Sequence, residues 1–458
     1  MAKSLFVCQS CASEHRKWAG QCPDCNAWNC ISEQVIESTP RIGKKGKALN
    51  TVSITDISTQ ENPRRSTDIE ELDRVLGGGI VPGSAILIGG DPGIGKSTIL
   101  LQAAAKLSAQ GTVLYITGEE STQQVRLRGE RIQALHPQLQ LVSACELESM
   151  LATITKLKPI AVIVDSIQTT VSNLLSSAPG TVSQVRDCAS ALIQNCKQQN
   201  HALILVGHVT KDGALAGPRV LEHMVDAVLY FEGDRGHAHR IIRAVKNRFG
   251  PAGEIGVFEM SDRGLIGIRD ASRLFLSERA ADTPGSVVLA CMEGTRPLLV
   301  EVQALVAPTV YATPKRSSVG LDVNRIAMLT AVLERRIGIP LSGHDVYVNV
   351  AGGAKISEPA ADLAVLLAIL SAYQEKPLPY KMAVFGEVGL TGEIRPVGNP
   401  ENRTREAANL GFTQMLMPHE NHTRVQEANL AATLRDTVTA PDFIPVKHLS
   451  GAAQMALH

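Results

Sequence analysis

The sequence has no excess of charge of either sign and no long apolar run. Its 458 residues include 45 Lys plus Arg and 45 Asp plus Glu, so the formal net charge is zero. Any contact with nucleic acid must therefore come from local basic patches and not from a globally basic surface. The longest apolar candidate, residues 360–373, contains Asp362 and is too short to cross a bilayer. The first residues contain no secretory apolar segment, so we expect a cytoplasmic protein without membrane contact.

In a reducing compartment, the nine cysteines need a role other than disulfide formation. Four of them form two pairs near the start of the chain, each with two residues between its members: Cys8, Cys11, Cys22 and Cys25. Thiolates at this spacing predict a closed tetrahedral Zn²⁺ site, which is structural and not catalytic. Such an ion would fold a module at residues 1–30, whose apolar core is too small to fold alone.

Two further interpretations concern the same module. His15 is an alternative zinc ligand, although a solvated histidine is the simpler interpretation. The remaining cysteines, Cys30 among them, are interpreted as small apolar residues.

The rest of the chain divides by composition. Residues 31–66 are polar, are interrupted by Gly and Pro, and include the basic run at 41–47, which together predict a linker. Residues 67–270 alternate strands with helices, which predicts an α/β domain with a parallel sheet. Residues 271–458 have a separate pattern of strands around a strong helix at 359–373. The length allows roughly two to four domains.

A phosphate-binding loop stands at the start of the α/β region, after the apolar strand 85–88. The loop and the helix start that follows are predicted to bind ATP through Gly90, Asp91, Pro92, Gly93, Ile94, Gly95, Lys96, Ser97 and Thr98. Backbone N–H groups of the loop would surround the phosphates at a helix N-terminus. Lys96 would contact the β- and γ-phosphates, and the Ser97 hydroxyl would bind Mg²⁺.

Carboxylates follow two later strands. Asp165 follows the apolar strand 160–164 and predicts a Walker B element that holds Mg²⁺, directly or through water. Glu119 and Glu120 follow the strand 113–117, where a carboxylate can orient the attacking water. The spacing does not decide between these two glutamates, and a first-turn position in the next helix is a third interpretation.

Several polar segments have both a functional and a structural interpretation. His208 either senses the γ-phosphate or caps a strand. The loops at 169–184 and 210–222 either contact DNA phosphates or are plain surface loops. Lys246 and Arg248 stand two residues apart on an extended segment and would stabilise a nucleotide's phosphates as an arginine finger does. The alternative is a solvated basic turn.

Five segments together resemble the RadA (Sms) family of bacterial DNA-repair proteins. They lie at residues 6–29, 66–84, 89–98, 114–121 and 246–258. The resemblance implies a RecA-like ATPase core in a homo-hexameric ring, which moves on single-stranded and branched DNA and promotes branch migration alongside the RecA recombinase. It implies a cytoplasmic, nucleoid-associated protein.

The same resemblance assigns residues. It implies that Glu119 is the catalytic carboxylate and that Lys246 and Arg248 reach the nucleotide of a neighbouring subunit, as in DnaB-like rings. It also implies that the loops at 169–184 and 210–222 face DNA.

The C-terminal region resembles the protease domain of Lon and is expected to have an α+β fold. Ala360 stands where Lon has its nucleophilic serine, and Glu401 follows the turn after which Lon has its catalytic lysine. The resemblance therefore implies an inactive protease fold that serves as a scaffold for the ring or as a DNA platform.

Three functional classes compete. The favoured one is a DNA-stimulated ATPase motor. A peptidase is disfavoured by Ala360 and Glu401. A nucleotide-switched regulator like KaiC shares the turn at residues 76–84, but it predicts ATP turnover that does not depend on DNA.

The paired cysteines generate a prediction about metal content. The double variant Cys22→Ser, Cys25→Ser leaves too few thiolates to close a tetrahedral site and should lose its zinc while the ATPase core stays folded. Metal analysis of the purified full chain measures this loss. Full zinc retention in the double variant would contradict the assignment.

Overall fold

The computed structural model describes residues 3–8, 13–15, 17–36, 53, 63–175, 177–178, 180–207, 219–233, 239–276, 279–310, 313–428 and 440–457. The chain divides into two compact units, Met1–Gly267 and Ile268–His458. None of the helices in these described ranges is both long enough and apolar enough to span a bilayer.

A small antiparallel sheet stands at the start of the first unit. Its strands are β1 (Lys3–Cys8), β2 (Glu14–His15) and β3 (Ile31–Ile36), in the order β2-β1-β3. The predicted linker begins at residue 31, but residues 31–36 pair in register with the whole of β1. The folded module therefore continues through β3. The basic run at 41–47 lies outside the described residues.

A nine-stranded sheet forms the body of the first unit. Its strands are β4 (Ala85–Gly89), β5 (Val113–Thr117), β6 (Leu139–Ser143), β7 (Ala161–Asp165), β8 (Ala202–Val206), β9 (Ala227–Glu232), β10 (His239–Asn247), β11 (Ile255–Ser261) and β12 (Gly264–Gly267). Their order is β12-β11-β10-β9-β4-β8-β7-β5-β6. The strands from β9 to β6 in this order are parallel, and β10, β11 and β12 continue the sheet in antiparallel pairs. The predicted α/β class is thus confirmed.

Helices cover both faces of this sheet. The first face is covered by α1 (Glu70–Leu76), α2 (Lys96–Leu107) and α3 (Thr122–Arg131). The second face is covered by α4 (Leu147–Leu157), α5 (Val182–Gln199) and α6 (Arg219–Met224). Successive side chains of a strand point to opposite faces, so Ile86 enters the first core layer and Leu87 enters the second.

The strand order brings the predicted motifs together. β8 lies between β4 and β7, and β5 lies on the other side of β7. Because these strands are parallel, their carboxyl ends meet at one edge of the sheet. The phosphate loop after β4, Asp165 at the end of β7 and Glu119 after β5 therefore share that edge.

The second unit is an α+β domain, as expected for a Lon-like fold. Its main strands are β13 (Ser286–Glu293), β14 (Arg296–Pro308), β15 (Arg316–Val319), β16 (His344–Val350), β17 (Met382–Val384), β20 (Gln414–Pro418) and β21 (Asp442–Val446), and β18 (Glu387–Val388) pairs with β19 (Ile394–Arg395). The order of the larger sheet is β15-β16-β14-β13-β17-β20-β21. Its helices are α7 (Ala271–Leu276), α8 (Val323–Val332), α9 (Asp362–Gln374), α10 (Pro400–Asn409), α11 (His419–Glu427) and α12 (Leu449–Leu457).

The helix α9 is the centre of the second unit. Every residue from Asp362 to Ser371 is buried, which fits a helix that is apolar on all sides. The polar exceptions are Ser371 and Asp362. The Asp362 carboxylate pairs with the Arg325 guanidinium, with Nε 2.8 Å from Oδ1, and accepts a bond from the Val388 N–H at 3.1 Å. The charge that interrupts the apolar run is thus buried only because it is fully paired.

A second buried ion pair lies beside Ala360. Arg403 of α10 is 2 % exposed and donates from both terminal nitrogens to Glu358, at 2.8 and 2.6 Å. It also donates to the Ala290 carbonyl at 2.7 Å, and Glu358 accepts from the Met292 N–H at 2.8 Å. This bidentate pair therefore ties α10 to β13.

The pair generates a stability prediction. Arg403→Ala would leave Glu358 without its buried counter-charge, and removing one partner of such a pair costs roughly 3–5 kcal/mol. Arg405→Ala removes an exposed guanidinium from the same helix and should change stability by less than about 0.5 kcal/mol. Hydrogen exchange of the α10 and β13 amides measures both effects. Equal protection in the two variants would contradict the role assigned to the pair.

Candidate functional site

The phosphate loop has the geometry that its sequence predicts. It connects β4 to α2, and its last glycine, Gly95, is the residue before the helix, with a φ of 120°. A side chain there would be strained, and a Cβ would lie 2.9 Å from the Met260 Cε atom. The first N–H groups of α2 have no partner within the helix, so the loop opens onto a site suited to anions.

Lys96 is the first residue of α2 and its side chain folds back into the loop. It is 5 % exposed, and its Nζ donates to the carbonyls of Gly90 at 2.6 Å and Asp91 at 2.9 Å. Burial lowers the pKa of Lys96, whereas the charges of Asp165, Asp91 and Glu119 raise it. A buried ammonium held by carbonyls and surrounded by carboxylates fits a polyphosphate that carries its own cation.

A cavity of about 430 Å³ opens over this loop. The predicted residues that line it are Pro92, Gly93, Gly95, Lys96, Ser97, Thr98, Glu119, Glu120 and Asp165, and Arg128 and Arg131 line it as well. Ile94 is instead buried in the core, so its contribution to the loop is its backbone. The hydroxyl of Ser97 and the carboxylate of Asp165 are oxygen donors of the kind that Mg²⁺ prefers, and they face the same space.

A buried tyrosine holds the Asp165 carboxylate. The hydroxyl of Tyr115, in the middle of β5, donates to Asp165 Oδ2 at 2.6 Å. Burial, then the Asp165 charge and this hydrogen bond, raise the pKa of Tyr115 well above its ordinary value. The sequence analysis missed this contact, although a tyrosine in an otherwise aliphatic strand needs a partner for its hydroxyl.

The two neighbouring glutamates have different partners. Ser166 donates from its hydroxyl to Glu119 Oε1 at 2.7 Å, so Glu119 lies beside the end of β7. Glu120 pairs with the guanidinium of Arg128 on α3. Its backbone is also fixed, because its N–H donates to the Thr117 hydroxyl at 3.0 Å. The geometry therefore favours Glu119 as the carboxylate at the sheet edge.

Gly118 allows Glu119 to lie beside the end of β7. Its N–H donates to the Asp165 carbonyl at 2.8 Å, which joins the end of β5 to the end of β7. A Cβ at this position would lie 2.0 Å from the Thr169 hydroxyl oxygen, so a side chain would push the two segments apart. The sequence shows a glycine before Glu119, but only the strand order reveals why it is needed.

Lys246 and Arg248 lie away from this cavity. Lys246 Nζ donates to the carbonyls of Glu222 at 2.8 Å and Val225 at 2.7 Å. Arg248 lies 3.3 Å from Asp226, whose other oxygen accepts the Ala85 N–H at the first residue of β4. Burial, and then the Arg248 charge, lower the pKa of Lys246. The pair thus sits side by side at the end of β4 opposite the phosphate loop.

The same turn packs on the glycine-rich segment before β4. A Cβ on Gly77 would lie 3.1 Å from the Gly250 Cα atom, and the Asn247 amide donates to the Val75 carbonyl at 3.3 Å. Arg64 donates to the Phe249 carbonyl at 2.6 Å. The segment before β4 and the turn at 246–251, which are far apart in sequence, therefore pack against each other.

Three of the four predicted zinc ligands, Cys8, Cys22 and Cys25, belong to the described residues, and Cys11 lies outside them. The sulfur atoms of Cys8 and Cys25 are 3.6 Å apart. Hydrogen bonds from the Ser13 hydroxyl, and then from the N–H groups of Cys25 and Asp24, lower the pKa of Cys22 to about 5. A thiolate held by turn N–H groups suits zinc. Cys30 packs with Phe6 and Ala19 against the apolar cluster of the module, and its sulfur also lies 3.3 Å from that of Cys8.

Some predicted functional segments are only partly described. His208 and residues 210–218 lie outside the described residues, and α6 begins at Arg219. Within the loop at 169–184, Val171 forms a bridge with Glu146, and α5 begins at Val182 with Thr181 as its cap. The end of that loop is therefore helix.

The Lon-like site has no nucleophile at its expected position. Ala360 is 1 % exposed, and its carbonyl accepts the Gly386 N–H at 2.9 Å. Glu401 lies in the first turn of α10, where the helix dipole favours an acidic residue. The acidic residues two positions before and after Ala360 are both paired, Glu358 with Arg403 and Asp362 with Arg325.

Comparison with known families matches three parts of the chain. An AAA domain matches residues 54–214, the C-terminal proteolytic domain of Lon protease (S16) matches residues 328–458, and a rubredoxin metal-binding domain matches residues 6–33. The AAA match shows a nucleotide-binding ATPase domain, and the rubredoxin match shows a zinc-binding domain.

Comparison with curated proteins finds relatives over nearly the whole chain. The chain is 50% identical to the DNA repair protein RadA of Bacillus subtilis over 426 residues, which cover 92% of this chain and 93% of that protein. It is 49% identical to the DNA repair protein RadA of Pseudomonas aeruginosa, over 94% and 96% of the two chains. It is 48% identical to the DNA repair protein RadA of Brucella abortus, over 99% of this chain and 100% of that protein.

The different partners of the two glutamates generate a prediction about ATP hydrolysis. Glu119→Gln should keep nucleotide binding and lose turnover, because an amide cannot accept the proton of the attacking water. Glu120→Gln is the matched control and should stay active, since it changes an ion pair with Arg128. Steady-state turnover together with binding of a fluorescent ATP analogue measures both. An active Glu119→Gln enzyme with an inactive Glu120→Gln enzyme would show that the assignment is wrong by one residue.

Proposed function

The chain belongs to the RadA family of DNA repair proteins, and on that premise we propose that it is a DNA-stimulated ATPase motor. It would move on single-stranded and branched DNA and drive branch migration of recombination intermediates alongside the RecA recombinase. The observation that carries the proposal is the gathering of Lys96, Asp165 and Glu119 at one sheet edge. The strands β7 and β8, which the two predicted DNA loops follow in the sequence, end at the same edge.

Each residue of the cavity has a distinct role in the proposed reaction. Lys96 binds the β- and γ-phosphates, and the N–H groups of the loop bind the remaining phosphate oxygens. A bound Mg²⁺ would neutralise charge on the phosphates, and Ser97 and Asp165 are the residues that would hold it. Tyr115 orients Asp165 through its 2.6 Å hydrogen bond. Glu119 orients the attacking water and accepts its proton.

Charge that develops at the γ-phosphate needs cations besides Lys96, whose ammonium is bound to the loop carbonyls. Arg128 and Arg131 also line the cavity, and Arg128 is paired with Glu120. We propose that Arg248 is the further cation. Arg248 cannot serve as that cation within the same chain, because it lies at the opposite end of β4, and a five-residue strand spans on the order of 13 Å. Its side chain is 56% exposed, so it is available to a neighbouring subunit.

A ring follows from this requirement. If each active site takes Arg248 from the next copy, a closed assembly leaves no site incomplete, and a homo-hexamer is the form the family resemblance favours. Lys246 is the second predicted cation of the same turn, and its ammonium donates to the carbonyls of Glu222 and Val225 at the end of α6. We place the assembly in the cytoplasm, associated with the nucleoid.

The second unit is proposed as a scaffold for the ring or as a DNA platform. Ala360 offers no nucleophile, and Glu401 stands where Lon has its catalytic lysine, so the two positions expected for a Lon-type serine–lysine pair hold neither residue. The domain division at residues 30, 66 and 270 remains our proposal, except that β3 extends the zinc module. A nucleotide-switched regulator is the competing function for the first unit.

DNA dependence distinguishes the motor from the regulator. Single-stranded DNA should raise ATP turnover of the full chain, and three-stranded intermediates should be extended with RecA present. Lys96→Ala is the control, because it removes the contact to the phosphates and should abolish both activities. Turnover that DNA leaves unchanged would support the regulator and overturn the motor.

The position of Arg248 generates a prediction about mixed subunits. Arg248→Ala should bind ATP nearly normally and turn it over more slowly by roughly three to five orders of magnitude, the range measured for arginine fingers. Mixing it with Lys96→Ala subunits should restore some turnover, since an interface then pairs an intact loop with an intact finger. Arg126→Ala, which removes an exposed arginine of α3, is the control and should stay active.

Co-assembly of the two mixed variants is checked by affinity capture of one through the other. Zero recovery in subunits that do co-assemble would contradict the role in trans and favour the solvated basic turn.

A further inference from the structure

The zinc module contains a fifth thiol beside the predicted ligands. The sulfur of Cys30 lies 3.3 Å from that of Cys8, and the sulfur of Cys25 lies 3.6 Å from the same atom. All three sulfur atoms lie within 4.8 Å of one another. Cys30 belongs to neither of the paired CxxC motifs, so the spacing rule that finds the four ligands does not find it.

These separations are those of a zinc–thiolate cluster. A Zn–S bond of about 2.3 Å in a tetrahedral site places neighbouring sulfur atoms roughly 3.8 Å apart. The separation of Cys8 and Cys25 is close to this edge length. The sulfur of Cys30 lies 3.3 Å from that of Cys8, about half an ångström short of this edge length. Either Cys25 or Cys30 is therefore close enough to Cys8 to share a metal ion with it.

The backbone places Cys30 here, independently of its side-chain rotamer. Cys8 pairs with Ile31 in the register of β1 and β3, so Cys30 is the residue immediately before that pair. The chain reaches this point through a short turn, in which the Cys22 N–H donates to the Ala27 carbonyl at 2.9 Å and the Asn29 N–H donates to the Gly20 carbonyl at 2.8 Å. The turn that contains Cys22 and Cys25 thus also places Cys30 next to Cys8.

Cys22 has a different set of neighbours. Its sulfur lies 3.3 Å from the Ser13 hydroxyl and 3.5 Å from the His15 Nε2 atom. Within the described part of the module, Cys25 and Cys30 are the thiols grouped with Cys8. If Cys25 is lost, Cys30 is therefore the described thiol best placed to fill its position.

We propose that Cys30 is a reserve ligand of the zinc site, which takes the position of Cys25 when that thiolate is lost. In the exchange, the Cys30 thiol gives up its proton as its sulfur binds the ion, and the displaced thiolate takes up a proton. The zinc site then keeps four thiolates and its charge. The alternative is a Cys30 that only donates to the Ala27 carbonyl, at 3.1 Å, and takes no part in metal binding.

Zinc content of full-length single and double variants tests the proposal. Cys30→Ser should hold about one zinc ion per chain, because the four other cysteines remain. Cys25→Ser should also retain its zinc but release it faster to a chromogenic chelator. Cys25→Ser, Cys30→Ser should lose it. Cys145→Ser, an exposed cysteine far along the chain, is the control and should behave like the unaltered protein.

Substitution of cobalt for zinc gives a second measurement, which does not depend on the affinity for zinc. The intensity of the thiolate-to-Co²⁺ charge-transfer band reports how many thiolates bind the ion. It should be equal in the unaltered chain and in Cys25→Ser, and lower in the double variant. A Cys25→Ser protein that has lost its zinc as completely as the double variant, or whose cobalt band is as weak, would overturn the reserve-ligand role.

Discussion

The ammonium of Lys96, buried in its own loop, is the interaction on which the first unit depends. A buried charge is costly unless it is paired, and here two loop carbonyls and three nearby carboxylates stabilise it. That arrangement requires β4, β7 and β5 to end at one edge of the sheet. The carboxylates are in turn oriented by hydroxyls, Asp165 by Tyr115 and Glu119 by Ser166. Together with the bond from the Gly118 N–H to the Asp165 carbonyl, these two hydrogen bonds join the end of β5 to the end of β7 beside the cavity.

The same sheet places Arg248 away from the proposed site of its own chain. Residues after the carboxyl ends of the parallel strands can reach the phosphates, and residues at the amino ends cannot. Arg248 is fixed at the amino end of β4 through Asp226. Arg248 therefore lies at the edge of the sheet opposite the phosphate loop, where a neighbouring subunit could reach it. Such a contact would make hydrolysis depend on assembly.

Local patterns in the sequence predicted those features whose chemistry lies within a few residues. The phosphate loop is such a feature, because strand, glycines, Lys96 and helix are consecutive. The choice of Glu119 over Glu120 required the strand order, since only a β5 next to β7 brings Ser166 within 2.7 Å of Glu119. The need for Gly118, the partner of Tyr115 and the approach of Cys30 to Cys8 are also tertiary contacts. In the second unit, Ala360 was recognisable by resemblance, whereas the Glu358–Arg403 pair depends on how α10 packs on β13.

The dependence of hydrolysis on a neighbouring subunit is tested most directly by turnover per subunit as a function of protein concentration. Sedimentation measured over the same range gives the assembled fraction at each concentration. A shared site predicts that turnover per subunit rises with the assembled fraction, while ATP affinity stays nearly constant, because Lys96 and its loop belong to a single chain. Full turnover at concentrations where the protein sediments as a monomer would contradict the shared site.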